Sequence, residues 1–390
     1  MPIARTPREQ DELVQQAEGL FAGGDLDAAL HLLSQVVEAN PCHVRALNDL
    51  GTVCYSRGAA AYAVRFFRRA LETEPSNLLS RTNLITLLLE LGQLDAAREL
   101  LAAGAGHHPG EAALEALRLE LQKLEVRAHF ALSVAAASEQ LEREAARRVS
   151  AALPTEPAAP MQPVDPASRD VMFRQAFNTF QQNPAACAQS GHPVLRDLIR
   201  GWGNEIWSAA DEYLAACVQQ ALVTEGPILE CGSGLSTLLV GTVAAKRGLP
   251  HWALEHMPEW AAHVQLRLRQ CALRSVRVIA APLKNYGEFS WYDAPVAAMP
   301  ASFSMVICDG PPAITPGGRY GLVPVMKSRL GPGCTLLLDD AHRQQERTIA
   351  CHWKVELGAA LTLCGAGRAY IRLTLPPTTQ SSAASAHAAA

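Results

Sequence analysis

The strongest constraint on this chain is a period. Gly24, Gly58 and Gly92 fall 34 residues apart, as do Ala29, Ala63 and Ala97, and again Pro41, Pro75 and Pro109. Three residue types holding one spacing from about residue 10 to 110 predict repeated pairs of helices. One such pair cannot bury its apolar face alone, so successive pairs stack. The middle unit is the most complete, with Leu50, Gly51, Gly58, Ala63, Phe67, Ala70 and Pro75. Gly51 and Ala63 let the two helices approach, Phe67 fills the space between units, and Pro75 ends the second helix.

These positions resemble the tetratricopeptide repeat. The resemblance implies a right-handed helical stack whose concave face holds a peptide or another protein. Asn48 and Asn83 are the candidates for peptide-backbone contacts; a spacer or a dimer support is the alternative use of such a stack. Residues 111–149 continue in a helical pattern, and part of them is expected to cap the last repeat, giving a helical domain over 8–149. Pro154, Pro157, Pro160, Pro163 and Pro166 then mark a semi-rigid linker over 150–168. Residues 169–225 are helical again, with Phe173, Phe177 and Phe180 on one face, followed by Trp202, Trp207 and Tyr213. They read as a helical preface packed on a sheet, or as a lid.

The 390 residues suffice for two domains. A formal charge of −4 gives no electrostatic case for a nucleic-acid partner. No apolar run approaches the roughly 18 residues of a membrane span, and the first residues carry no secretory h-region. The ten cysteines lack metal-ligand spacing. They read as reduced core thiols of a cytoplasmic protein.

From 226 onward strands alternate with helices, which predicts a parallel α/β sheet. The candidate strands are 227–231, 251–255, 276–280, 303–308, 334–338, 361–364 and 369–374. The last two are joined by Gly365-Ala-Gly367, short enough for a hairpin, so the final strand is expected to run antiparallel to its neighbour. The tail 376–390 lacks core residues and is expected to be disordered. Within Ile228–Cys231, Gly232, Gly234 and the helix that starts at Ser236, a strand, a glycine turn and a helix N-terminus make a nucleotide-type cofactor site. Thr237 stands where a pyrophosphate-binding fingerprint has its third glycine. The turn therefore leans from NAD towards S-adenosyl-L-methionine.

Four motifs at strand ends carry a second resemblance: Glu230-Cys-Gly-Ser-Gly-Leu-Ser-Thr237, Glu255-His-Met-Pro-Glu-Trp260, Asp309-Gly-Pro-Pro312 and Asp339-Asp-Ala-His-Arg343. Together they resemble a bacterial group of class I S-adenosylmethionine-dependent methyltransferases. The resemblance implies an α + α/β chain: tetratricopeptide repeats, then a Rossmann-like seven-stranded methyltransferase sheet over 226–375. Implied cofactor contacts are Glu230 towards the cationic end, Gly232 and Gly234 beneath it, Ser233 and Ser236 towards the carboxylate, and Glu255 on the ribose diol. His256 lies beside Glu255, Ala281 is expected to line the adenine, and Asp309 faces the methyl group. Asp309, Asp339 and Asp340 are the metal candidates, for Mg²⁺ as in catechol-type O-methyltransferases. Asp309 as a base, with Asp339 or Asp340 capping a helix, is the metal-free alternative.

Asp309, His342 and Arg343 are the catalytic candidates. Arg319 and Arg343 are the groups expected to hold an acidic substrate or pair with the aspartates. The implied reaction is methyl transfer, by preference to oxygen, on an unidentified acceptor. An NAD-dependent enzyme on the same sheet is the first rival, disfavoured by the absence of a Tyr-x-x-x-Lys pair. A non-catalytic repeat protein with a degenerate cofactor domain is the second.

Overall fold

The structure, a computed structural model, describes residues 6–151, 165–203 and 209–377. The chain divides into two units, Met1–Leu132 and Ser133–Ala390.

Unit 1 is a stack of helix pairs: α1 (Pro7–Ala22) with α2 (Leu26–Ala39), α3 (Val44–Ser56) with α4 (Ala60–Thr73), and α5 (Leu78–Glu90) with α6 (Leu94–His107). Each pair turns at the periodic glycine. Gly24, Gly58 and Gly92 adopt φ of 87°, 75° and 69°, a left-handed region that side chains resist. Ala29, Ala63 and Ala97 have no exposed surface. A Cβ on Gly51 would come within 2.5 Å of the Phe67 ring, which explains a glycine inside a helix. The first turns of α7 (Ala112–Ala151) close the stack, with Leu114 and Leu121 in its core.

The boundary differs from the sequence expectation. The helical domain expected over 8–149 ends at Leu132, and the second half of α7 belongs to unit 2. A uniform helical pattern carries no signal for which half packs where. Pro154, Pro157, Pro160 and Pro163 lie outside the described residues, as do 378–390 of the expected tail. Pro166 is not linker but the first residue of α8 (Pro166–Gln182), capped by the Asp165 carboxylate.

In unit 2, α8 is followed by α9 (Pro184–Cys187), α10 (Pro193–Trp202) and α11 (Asp211–Val223). Phe173, Phe177 and Phe180 lie in one core with Leu214, Ile228, Val276 and Ile307. The Tyr213 hydroxyl donates to the Leu337 carbonyl at 2.9 Å. These helices are therefore part of the core, as the preface reading expects; Trp207 lies outside the described residues.

The sheet is built from β1 (Ile228–Cys231), β2 (His251–Glu255), β3 (Val276–Ala280), β6 (Phe303–Cys308), β7 (Leu330–Leu338), β8 (Ala360–Cys364) and β9 (Tyr370–Thr374), with β4 (Leu283–Asn285) and β5 (Ser290–Tyr292) forming a separate hairpin. The order is β3-β2-β1-β6-β7-β9-β8. The first five strands are parallel, and β9 runs antiparallel to both neighbours. Helices α12 (Leu235–Arg247) and α13 (Pro258–Gln270) link the strands on one side of β1. On the other side α14 (Leu322–Met326) lies between β6 and β7, and α15 (Gln344–Leu357) follows β7.

The chain moves outward from β1 one way through β2 and β3, and the other way from β6 to β7. With right-handed crossovers the two sets of helices cover opposite faces. In open α/β sheets a ligand crevice lies where the strand order reverses, here at the carboxyl ends of β1 and β6. Strand β7 starts at Leu330, before the expected 334. Its Gly331-Pro-Gly333 reads as a turn yet continues the strand past an irregularity between Phe303 and Met305. Hairpin β4–β5, three residues per strand, carries too short a pattern to be read from sequence.

Candidate functional site

The crevice is shaped by two backbone loops pressed together. Gly310 N–H and Asp309 N–H both donate to the Cys231 carbonyl, at 2.7 and 3.0 Å. A Cβ on Gly232 (φ 92°) would lie 3.2 Å from the Gly310 nitrogen. Gly232 is thus required by the neighbouring strand end, not only by a ligand. Gly234 differs: its backbone is extended (φ 177°), and a Cβ there would meet nothing within 4 Å. Its N–H donates to Thr237 Oγ1 at 2.9 Å, which fixes the start of α12.

Two carboxylates organise the turn. Glu255, at the end of β2, is buried and accepts from the Ser233 N–H (3.1 Å), the Ser233 hydroxyl (2.9 Å) and the Met257 N–H (3.1 Å). His256 Nδ1 lies 2.9 Å from it. Burial alone raises an acid; here the bonds from His256, Met257 and Ser233 outweigh it and hold Glu255 below the usual carboxylate range. Trp260, unnoticed in the sequence except as part of a motif, donates from Nε1 to the Ser233 carbonyl at 2.8 Å.

Glu230 does something other than expected. Its oxygens are taken by the Ser236 hydroxyl (2.5 Å) and His251 Nε2 (3.0 Å), and its carboxylate is enclosed. Glu230 and Ser236 brace β1, β2 and α12 from within. Ala281 is buried and its N–H is spent on the Glu255 carbonyl (2.7 Å), so it cannot read adenine through that group. His251, a polar residue opening a strand whose middle is apolar, was the overlooked signal.

Beyond β6 and β7 the expected acids converge. Oxygens of Asp309, Asp339 and Asp340 lie within 4.8 Å of one another. Arg319, only 3% exposed at its side chain, sits among them. Its Nη2 lies 3.2 Å from Asp309 Oδ1 and 2.8 Å from Asp340 Oδ2, and donates to the Asp309 carbonyl (2.7 Å); its Nη1 donates to the Asp339 carbonyl (2.7 Å). Arg343 (3.0 Å) and Arg368 also pair with Asp340. Asp340 itself adopts a left-handed backbone (φ 61°), which aspartate tolerates better than most residues.

Neither oxygen of Asp339, nor of the buried Glu346 at the start of α15, has a hydrogen-bond partner. Burial and then Asp340 push Asp339 up, and burial does the same to Glu346. Asp309 is pushed up to about 8 by burial in the crevice floor and then by Asp339, with Arg319 opposing. Asp340 stays below its usual range because Arg319, Arg368 and Arg343 outweigh its burial.

The donor set fits Mg²⁺ poorly. Carboxylate oxygens suit the ion, but Asp309 Oδ1 and Asp340 Oδ2 already hold a guanidinium. Three arginines offset three of the four acids, which leaves a single negative charge against the two positive charges of a divalent cation. His342 lies at the rim, 48% exposed and 4.0 Å from Asp340, and partial burial lowers its pKa. Arg343 stands beside it. Of the two expected uses of Arg319, holding an acidic substrate or pairing with the aspartates, the structure has the second.

With this geometry in place, comparisons with known proteins bear on unit 1. The family model of the tetratricopeptide repeat matches residues 55–121. The N-terminal region carries tetratricopeptide repeats. Solved structures similar to the stack include the first such domain of Spaghetti (RPAP3) bound to an Hsp90 peptide: 16% identity, 31% of this chain, 99% of that chain, TM-score 0.29. The Yersinia enterocolitica type III secretion chaperone SycD with a YopD peptide gives 13%, 31%, 96% and 0.29. The Sgt2 repeat domain from Aspergillus fumigatus gives 19%, 42%, 95% and 0.27. No curated protein matches the chain. Within the stack, Asn48 is buried and its Oδ1 accepts from Ser80 (3.2 Å) and Asn83 (3.1 Å). These amides join adjacent repeats, with Asn48 enclosed and Asn83 half-buried. Among the described residues no helix is long and apolar enough to cross a membrane.

Proposed function

We propose that unit 2 is a class I S-adenosylmethionine-dependent methyltransferase and that unit 1 docks a protein or peptide. The observation that carries the enzymatic reading is the crevice between β1 and β6: a glycine turn with open space at Gly234, flanked by the Glu255 carboxylate at the end of the adjacent strand. The strand order, reversing at β1 and closing on an antiparallel β9, supports it.

When bound, S-adenosylmethionine supplies an electrophilic methyl on a sulfonium. The chain's own residues then have separable tasks. Glu255 exchanges its Ser233 bonds for a ribose diol. Gly234 leaves room for the ligand beside the start of α12. Asp309 stands at the next strand end as the proton acceptor for the attacking hydroxyl or amine in its ionised form, which its value of about 8 makes a stronger base than an ordinary carboxylate and which gains population as pH rises towards 8. The loop from Pro311 to Tyr320 walls the acceptor side and excludes water. No step passes through a metal. A cytoplasmic setting goes with this reading, in keeping with ten free thiols.

Calorimetry with S-adenosylhomocysteine tests it. Gly234→Leu places a side chain in open space, so the expected result is binding to the native chain and none to a normally folded variant. Equal binding by both, or none by the native chain, removes the enzymatic reading and leaves the repeats as the working part.

A further inference from the structure

Where a metal-dependent enzyme of this shape would hold its ion, this chain holds an arginine. We infer that Arg319 is the resident cation of the Asp309–Asp339–Asp340 cluster, so that the site orders its acids without a divalent metal. Only the catalytic consequence rests on the methyltransferase reading; the cation itself is tested without cofactor.

Four contacts carry the inference. One terminal nitrogen of Arg319 spans Asp309 Oδ1 and Asp340 Oδ2, at 3.2 and 2.8 Å, and also reaches the Asp309 carbonyl; the other holds the Asp339 carbonyl. A guanidinium is planar and permanently charged, so it can tie two strand ends at once in a way an ammonium cannot. The backbone is built to deliver it. Arg319 follows Gly317 and Gly318, both left-handed at φ 76° and 54°, and a Cβ on either would collide with Phe289 or Gln345. The loop is thus packed tightly where it turns the arginine inward. Tyr320, next along, is fixed through its carbonyl by Trp353 Nε1 at 3.1 Å. Arg343 and Arg368 also pair with Asp340, so this buried acid is already satisfied.

The inference assigns Arg319 a positioning role. It holds the Asp309 carboxylate in one orientation at the crevice floor and keeps Asp340 ionised behind it. Asp339, with both oxygens unpartnered, is the acid a metal would claim if the arginine were removed.

The experiment is Mn²⁺ binding to the full-length protein, read by electron paramagnetic resonance and by thermal shift. The native chain is expected to bind no Mn²⁺ at this cluster at millimolar ion. Arg319→Met uncovers the three carboxylates and is expected to gain one site, with a rise in melting temperature on adding Mn²⁺ that Asp339→Asn abolishes in the double variant. The thermal shift also reads a variant that is poorly folded without the ion, because binding stabilises it. Stoichiometric binding by the native chain that Asp339→Asn abolishes would overturn the inference. So would a folded Arg319→Met that gains no site. Either result leaves the calorimetric test of cofactor binding untouched.

Discussion

Glu255 and Asp309 end neighbouring parts of the crevice, and their surroundings push them in opposite directions. Glu255 is held ionised by three donors and a histidine. Glu255→Gln keeps the shape but removes the charge that a ribose diol would meet. A hydrogen bond to a charged group is worth about 1.5–3 kcal/mol, so S-adenosylhomocysteine binding is expected to weaken roughly 10- to 150-fold by calorimetry; an unchanged affinity places the ligand elsewhere. Asp309 is the reverse case. Its ordinary value is 3.8 and its folded value about 8. The folded chain keeps this proton while the unfolded chain gives it up. The associated stability is full below about 4 and is lost progressively as pH rises through about 8. Relative to Asp309→Asn, the native chain should therefore lose melting temperature between pH 5 and 8 and change little above that range. A difference from Asp309→Asn that stays flat between pH 5 and 8 would mean that Arg319 dominates and Asp309 is ionised throughout.

At the scale of elements, the sequence is most legible where geometry demands one residue type. The glycines at 24, 58 and 92 are each at left-handed turns, and no other reading of their spacing accounts for that. The strand ends that carry Glu255, Asp309 and Asp339 were visible for a similar reason: apolar runs stop at an acid. What the sequence could not show was direction. Glu230 looked like a crevice acid and proved to be enclosed by Ser236 and His251, because alternation along a four-residue strand is too short to tell which face a side chain takes. Arg319 read equally as a substrate-holding cation or as a partner of the aspartates; it is the partner, and its inward turn depends on packing against Phe289 and Gln345, distant in sequence. Gly51 offers the element-level test. Gly51→Leu forces atoms into the Phe67 ring, and overpacking of this kind costs about 1–3 kcal/mol. Chemical denaturation followed through unit 1 is expected to shift by that amount, with S-adenosylhomocysteine affinity unaltered. An undisturbed midpoint would mean that α3 and α4 do not pack as closely as described.

For the whole molecule the question is why one chain carries both units. A stack of tetratricopeptide repeats offers surface for a partner, and the proposed cofactor crevice would supply chemistry, but neither names the acceptor. If the repeats choose the acceptor, the two functions separate under mutation in a particular way. Full-length protein incubated in cell extract with methyl-labelled cofactor is expected to label a macromolecule. Gly51→Leu, which disturbs the stack alone, is expected to cut that labelling by at least tenfold while leaving cofactor binding intact. Gly234→Leu is expected to abolish labelling through the crevice while leaving the repeats folded. Label appearing only in small molecules, and equally with Gly51→Leu, would place acceptor choice in the loop from Pro311 to Tyr320 and give the repeats a task unrelated to the reaction. The comparison is informative because the two glycines differ physically: at Gly51 an added Cβ meets a ring 2.5 Å away, and at Gly234 it meets no atom within 4 Å, so a loss there would come from a ligand displaced.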